Sequence, residues 1–326
     1  MQGDLIFRMP GIYKDNPLVE RFGAIIKEKA TGHIVAHVQE TGLAQRLLNA
    51  AGVSPFSPLG ALNAASSAGA NIQLVQMKRL VEGLQILQFA NLGVSIAGLG
   101  VSAVGFALMN KKLNSIIDQM GAFSAQVYAR FDQLRERELR THYSRIDGLF
   151  DQAEQAHALR DPSKEWYRVA GALADESSYF RGEVRYLNQS HEFSLELFDA
   201  LTRSYALCNM GRIECLMLAR EMPAARRVAQ DVATDYNSLF DDLVPIRLAH
   251  NSLTLEAKTG VRSDATLSDK VRLMSDLVGN LRQVQQVAST KPYLIDMLLN
   301  KEVDGFEYMR RLREENEEPI LLLLAA

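Results

Sequence analysis

The chain is poor in cysteine, holds a single tryptophan and has no block of like charge, and each shortage removes a class of protein. Cys208 and Cys215 lie seven positions apart in a helical stretch, the wrong spacing for a CxxC metal or redox site and no basis for a disulfide framework. They read as buried free thiols, which suits a reducing compartment. The 36 Lys and Arg are scattered among 39 Asp and Glu, for a net charge of -3, so the one-sided basic surface that phosphate binding requires is missing and nucleic acid is not an expected partner. Even RERELR at 135–140 mixes signs and reads as a solvated face. A Walker loop, a dinucleotide glycine fingerprint, a zincin HExxH and a nucleophile elbow are all absent. None of the six histidines has a second His or a Cys at ligand spacing on a helix face, and His33 and His37 sit too far apart along a strand to share a metal. No catalytic, cofactor-binding or metal-ligating residue is therefore assigned, and the chain is not read as an enzyme. The opening MQGDLIFRMPG lacks a basic stretch followed by an apolar core, so no secretory signal is read and a cytoplasmic location is expected.

What the chain does have is a 28-residue run without a charge, Gly83 to Asn110, long enough to cross a bilayer as a helix. Lys78 and Arg79 precede it and Lys111 and Lys112 follow, where headgroup anchors would stand. Small residues interrupt it at Gly93, Ala97, Gly98, Ser102 and Gly105, and pairs four apart, such as Gly93/Ala97 and Gly98/Ser102, allow close helix packing. Leu92, Val94, Ile96, Leu99, Val101, Val104, Phe106 and Leu108 are then the side chains that would meet lipid or neighbouring copies. The alternative is a helix apolar on every side and buried in a bundle. Residues 47–77 are also uncharged, but small and polar rather than greasy.

The remainder divides by grain. In residues 1–46 the alternation in FGAIIKEKATGHIVAHVQE around Ala30-Thr31-Gly32 predicts a β-hairpin, with a further strand within 4–9 and both histidines on a surface or half-buried strand. Such a unit must pack on something larger to persist. From Leu113 the seam Leu113, Ile116, Met120, Phe123, Val127, Phe131 and Leu134 predicts an amphipathic helix, extended if unbroken to about Arg160 into a stalk near 70 Å. Asp161-Pro162 starts the next helix, Pro223 closes the one after it, and a helix over 224–258 is expected to kink at Pro245. Helices over 267–289, capped by Thr266 with Asp269, and over 292–315 follow, and the terminal ILLLL tucks into a groove. The expected class is mainly α: an elongated helical bundle with a long central helix, an apolar glycine-rich segment and a small N-terminal β-hairpin unit. The units are 1–46, 47–112 and 113–326.

An uncharged, small-residue-rich run joined to a long amphipathic helix, over about residues 60–160, resembles the α-helical pore-forming toxins of the cytolysin A kind. The likeness is one of arrangement, and the strand-like N-terminal unit departs from it. It implies a chain that is soluble until triggered, then forms a homo-oligomer and inserts Gly83–Asn110 into a lipid bilayer. With no export signal, that bilayer would be the producing cell's inner membrane, as in a phage-defence effector that kills its host and answers to an activating protein partner. Two other readings stand beside this one: a resident single-span sensor or scaffold, and a soluble helical adaptor in which the run is core.

Overall fold

A computed structural model describes residues 7–8, 18–22, 25–43, 106, 109–110, 113–118, 120, 133–260, 265–317 and 320–324. These form a mainly helical bundle with a five-stranded antiparallel sheet. The strands are β1 (Phe7–Arg8), β2 (Val19–Phe22), β3 (Ile25–Glu28), β4 (Ile34–Glu40) and β5 (Ile320–Leu324). The helices are α1 (Gln133–Gln155), followed by a 3-10 turn at Ala156–Ala158, α2 (Pro162–Gln189), α3 (Leu195–Leu218), α4 (Met222–Phe240), α5 (Pro245–Thr259), α6 (Leu267–Asn300) and α7 (Gly305–Glu314).

The β3–β4 hairpin turns where expected. Gly32 takes φ +69°, a left-handed conformation that suits a residue without a Cβ, and the turn is closed by the Glu28 amide donating to the His33 carbonyl at 2.9 Å. The strand order β1-β5-β4-β3-β2 was not expected. The ILLLL segment occupies no groove: it is a strand hydrogen-bonded to β1 on one side and to β4 on the other. Its alternation explains why successive residues along it are apolar. Leu321 and Leu323 join the core of the bundle, while Leu322 packs with Ile26 and Ala36 on the opposite face, so both faces are buried. The sheet thus draws on sequence beyond residues 1–46, and that boundary does not enclose it. His33 precedes β4 and is exposed, whereas His37 is buried within it, a correction to the surface or half-buried placement read for the pair.

At the centre of the bundle stands α3, with 20 of its 24 residues buried, packed mainly on α2 and α4. A helix surrounded by protein carries no polar face of its own, so its polar side chains need internal partners. Ser204 donates to the Ala200 carbonyl, the Asn209 amide donates to the Tyr205 carbonyl, and Ser177 of α2 donates to Asn209 Oδ1 at 2.8 Å. Arg203 pairs with Asp199 one turn earlier at 2.5 Å. Cys208 and Cys215 are buried and free, as expected.

Three helix boundaries differ from the sequence reading, each at a proline. Pro223 lies in the first turn of α4 and does not close α3, which ends at Leu218 ahead of Arg220 at φ +66°. Pro245 opens α5 after α4 has ended in a turn at Asp241–Asp242, since its missing N–H costs nothing at a first turn. Pro292 interrupts nothing: α6 runs through it for 34 residues, held by Leu294, Ile295 and Leu298 in the core. The capping box at Thr266 and Asp269 is formed, and α2 starts after Asp161 with Pro162 in its first turn.

The amphipathic helix α7 joins sheet to bundle. Tyr308 donates to Gln39 Oε1 of β4 at 2.6 Å, and the Arg313 carbonyl comes so close to Gly42 that a Cβ there would lie 2.0 Å from its oxygen. Arg313 also donates to His157 Nε2 at 2.8 Å. His157 meets Trp166 edge to face, and the Trp166 indole donates to the Ala153 carbonyl at 3.0 Å and packs on Phe306 of α7.

Candidate functional site

The apolar run leaves its uncharged stretch at residues whose positions the structure describes, and these form a joint with α1. Residues 106, 109–110, 113–118 and 120 are helical. Phe106, Met109, Leu113 and Ile116 recur at steps of three and four, so they share one face, and all four are buried in the core. Opposite them is α1. The Phe106 and Phe150 rings stack with centroids 6.3 Å apart, the Asn110 amide donates to Asp151 Oδ1 at 2.5 Å, and Tyr143 donates to the Met120 sulfur at 3.7 Å.

These three contacts set a direction. As the chain runs from Phe106 to Met120, its partners run back from Asp151 to Tyr143, so the two segments are antiparallel. A straight helix through 113–155 would separate Met120 from Tyr143 by about 35 Å at 1.5 Å per residue. Residues 113–120 and α1 are therefore not successive stretches of one straight helix, and the expected 70 Å stalk is not formed. The unit boundary at 112 likewise cuts through this packed pair.

Phe150 is the keystone of the joint. Its ring also lies on α3 at Gly211, where an added Cβ would come within 2.7 Å of Cε1, so the absent side chain leaves room for the aromatic. The Tyr143 hydroxyl also lies 3.2 Å from the Ser204 hydroxyl of α3. The polar member is less well served. Asn110 Oδ1 is buried with no hydrogen-bond partner, although its amide nitrogen is engaged. Asp147, one turn before Asp151, has its carboxyl pushed up by burial and then by the Asp151 charge.

Of the side chains assigned to lipid from the sequence, only Phe106 is described, and it is enclosed in the protein core. Leu92, Val94, Ile96, Leu99, Val101, Val104 and Leu108 lie outside the described residues. So do the packing positions Gly93, Ala97, Gly98, Ser102 and Gly105 and the anchors Lys78, Arg79, Lys111 and Lys112. Among the described residues no helix is long and apolar enough to cross a membrane. Sequence reasoning picked out Leu113, Ile116 and Met120 as a seam but missed Asn110, Phe150 and Asp151, because nothing local couples positions 41 apart.

The polar clusters elsewhere have the marks of structure. His142 Nδ1 meets Glu176 Oε2 at 2.5 Å while its ring stacks on Tyr179. Tyr205 donates to Asp235, which also accepts from Arg181 at 2.7 Å. Burial pushes the Cys208 and Cys215 thiols and the Tyr205 and Tyr236 hydroxyls up, away from the ionised forms a nucleophile needs. Among the described residues no cluster of His, Cys, Asp or Glu could hold a metal ion.

Two buried groups give the fold a pH response. Burial in β4 lowers His37 to about 4, so between its unfolded value near 6.5 and that figure the unfolded chain takes up a proton that the folded chain refuses. Stability from this source is complete above about pH 6.5 and is lost as pH falls toward 4, by about 2 kcal/mol from pH 7 to pH 5. Asp199 works in the opposite sense, because burial raises it to about 6 against the pull of Arg203. The sum is partly self-cancelling, so the test is differential. The change in unfolding free energy between pH 7 and pH 5, measured by urea denaturation, should differ between the wild type and His37→Leu by that amount; equal changes would show that His37 is not buried in the neutral form.

Comparison of the chain with protein-family models, curated proteins and solved structures finds no match. The fold and the joint define it as a mainly helical bundle whose sheet is completed from distant sequence.

Proposed function

We propose that the protein is a membrane-permeabilising effector, held in a sheltered form until triggered. It then oligomerises and inserts Gly83–Asn110 into the bilayer of the cell that makes it, as a phage-defence protein acting by cell death would. The observation that carries this reading is the uncharged, glycine-dotted run flanked by Lys78/Arg79 and Lys111/Lys112 in a chain whose mean hydropathy is only -0.08. The burial of Phe106 and Met109 supports a sheltered resting form, since the bundle already covers the end of the run. The same burial favours a second reading, a helical adaptor in which the run is permanent core.

Substitution separates the two. An aspartate at the centre of a bilayer-spanning helix costs about 3 kcal/mol, roughly a hundredfold in insertion. Val101→Asp is therefore expected to abolish toxicity and dye entry in expressing cells, and dye release from vesicles, while leaving the circular-dichroism melt of the purified chain within a few degrees. Unaltered permeabilisation would refute insertion of the run. Harmless wild-type protein, with a collapsed melt in Val101→Asp, would establish the adaptor.

A further inference from the structure

We infer that the outward face of α2 is an interface for a second copy of this chain, packed antiparallel across a two-fold axis level with Glu176 and Ser177. Such a dimer needs neither a bilayer nor a trigger, so it stands apart from the membrane reading above. On one side α2 is flanked by α1, where Tyr179 stacks on His142 and Arg168 donates to Gln152. On the other it is flanked by α4, where Arg181 pairs with Asp235 and Asn188 donates to the Leu239 carbonyl. The side turned away from α3 faces outward. It carries two of the most exposed large side chains among the described residues, Tyr167 at 60 % and Tyr186 at 55 %, and tyrosine is a residue enriched where protein meets protein.

This face matches itself when a copy is turned end for end. Tyr167 then comes opposite the partner's Arg185, Arg168 opposite the partner's Tyr186, and the symmetry makes each pair twice. The match holds around the helix as well as along it. At about 100° per residue, Tyr167 and Arg185 lie about 40° to one side of the line through Gly171, and Arg168 and Tyr186 about 60° to the other. A two-fold axis perpendicular to the helix leaves each side facing its own kind. An arginine over a tyrosine ring is attracted by the ring's quadrupole. Arg168 is already held for this: Glu165 and Gln152 take up its N–H groups at the edges, which leaves the flat face of the guanidinium to stack.

Two glycines set how close the copies come. Gly171 and Gly182 are exposed and eleven positions apart, about three turns, so they share the middle of this face and lie opposite each other in the dimer. A Cβ at either would meet nothing in this chain, and the fold itself therefore gives no reason for a residue of poor helix propensity inside α2. Gly148 and Gly279 meet nothing either, but each is the one glycine of its helix and has no mate on the same face. With glycine against glycine the helix axes close to about 8 Å, which brings the flanking rings and guanidinium groups within reach. Asp175 works against the pairing. It is exposed and lies about 2 Å from the level of the axis at 1.5 Å per residue, so two like charges stand near each other across the interface. A contact built on one helix pair and carrying that repulsion is weak, with a Kd on the order of micromolar.

Sedimentation equilibrium of the full-length chain across the micromolar range should show monomer and dimer in exchange. Gly182→Gln fills the point of closest approach and should weaken the dimer tenfold or more, while the melting temperature stays level or rises because glutamine is the better helix former. Arg185→Ala should weaken it about tenfold, since symmetry removes two stacked pairs at once. Asp175→Asn should tighten it severalfold. Ser178→Cys, as near the axis as Asp175, should link two copies through a disulfide on mild oxidation, whereas Gly279→Cys on the exposed side of α6 should not; both native cysteines are buried. A chain that stays monomeric throughout that range overturns the interface. So does a dimer that Gly182→Gln and Arg185→Ala leave unchanged, that Asp175→Asn weakens, or that Gly279→Cys links as readily as Ser178→Cys.

Discussion

A chain ending at Glu317 is expected to lose its sheet. Removing β5 takes away the strand that β1 and β4 both pair with, so Phe7–Arg8 is left without its ladder and β4 becomes an edge. Leu321, Leu322 and Leu323 are 8, 1 and 1 % exposed, and at 1.5–3 kcal/mol per buried leucine their loss alone amounts to roughly 5–9 kcal/mol, which the hydrogen bonds of two ladders increase. What remains, β2 to β4, is a short meander held to the bundle only through the Tyr308–Gln39 and Arg313–Gly42 contacts of α7, with no independent claim to stability. The helical core should survive, because α2, α3, α4 and α6 do not depend on the strand for their mutual contacts. Hydrogen exchange is the measurement. Amides of 25–28 and 34–40 should lose nearly all protection while those of α3 keep it; protection retained in β3 and β4 would refute the central place of β5.

The second large effect is expected at Gly42. Replacement by valine places a Cβ 2.0 Å from the Arg313 carbonyl oxygen and 2.9 Å from its carbon, and both are backbone atoms that no rotamer change can move aside. Either α7 or the end of β4 must shift by more than an ångström, and the Tyr308 to Gln39 bond lies within the same contact. Overpacking of this kind costs roughly 3 kcal/mol or more. The damage should be directional, freeing the sheet from α7 before the bundle unfolds. Trp166, the single tryptophan, reports on it, since its ring lies between His157 and Phe306 next to the Arg313 contact. A denaturation curve by tryptophan fluorescence should move to lower urea in Gly42→Val, whereas a coincident wild-type curve would show that the close approach is not kept in solution.

The two cases mark where sequence reasoning stops. Helical class was legible because apolar residues repeat at three and four along α2, α4 and α5, and caps such as Thr266 with Asp269 are local. The hairpin was legible because Gly32 sits between two alternating arms. The partner of ILLLL was not, for a strand apolar on both faces has no pattern to say which edge it meets, and Tyr308 and Gln39 are 269 positions apart. Pro292 was read as the start of a new helix, yet it is carried inside α6 by the packing around it, a tertiary effect without a local sign. α3 was legible as a helix but not as an enclosed one, because nothing local shows that neighbouring helices cover Thr202, Arg203, Asn209 and Glu214. At the joint, the seam through Leu113 and Ile116 was readable, but the pairing of Asn110 with Asp151 spans 41 positions, too many for a local pattern to couple.

The placement of β5 also sets a timetable for biosynthesis. A ribosome adding about 5–20 residues per second delivers Ile320 on the order of 15–60 seconds after Glu40, and throughout that interval the nascent β4 offers an unpaired edge. Gly83–Asn110 leaves the exit tunnel in the same window, long before the strand that completes the sheet has been translated. Chaperones that recognise extended apolar chain therefore have a prolonged opportunity to engage this polypeptide, and slow translation would lengthen it.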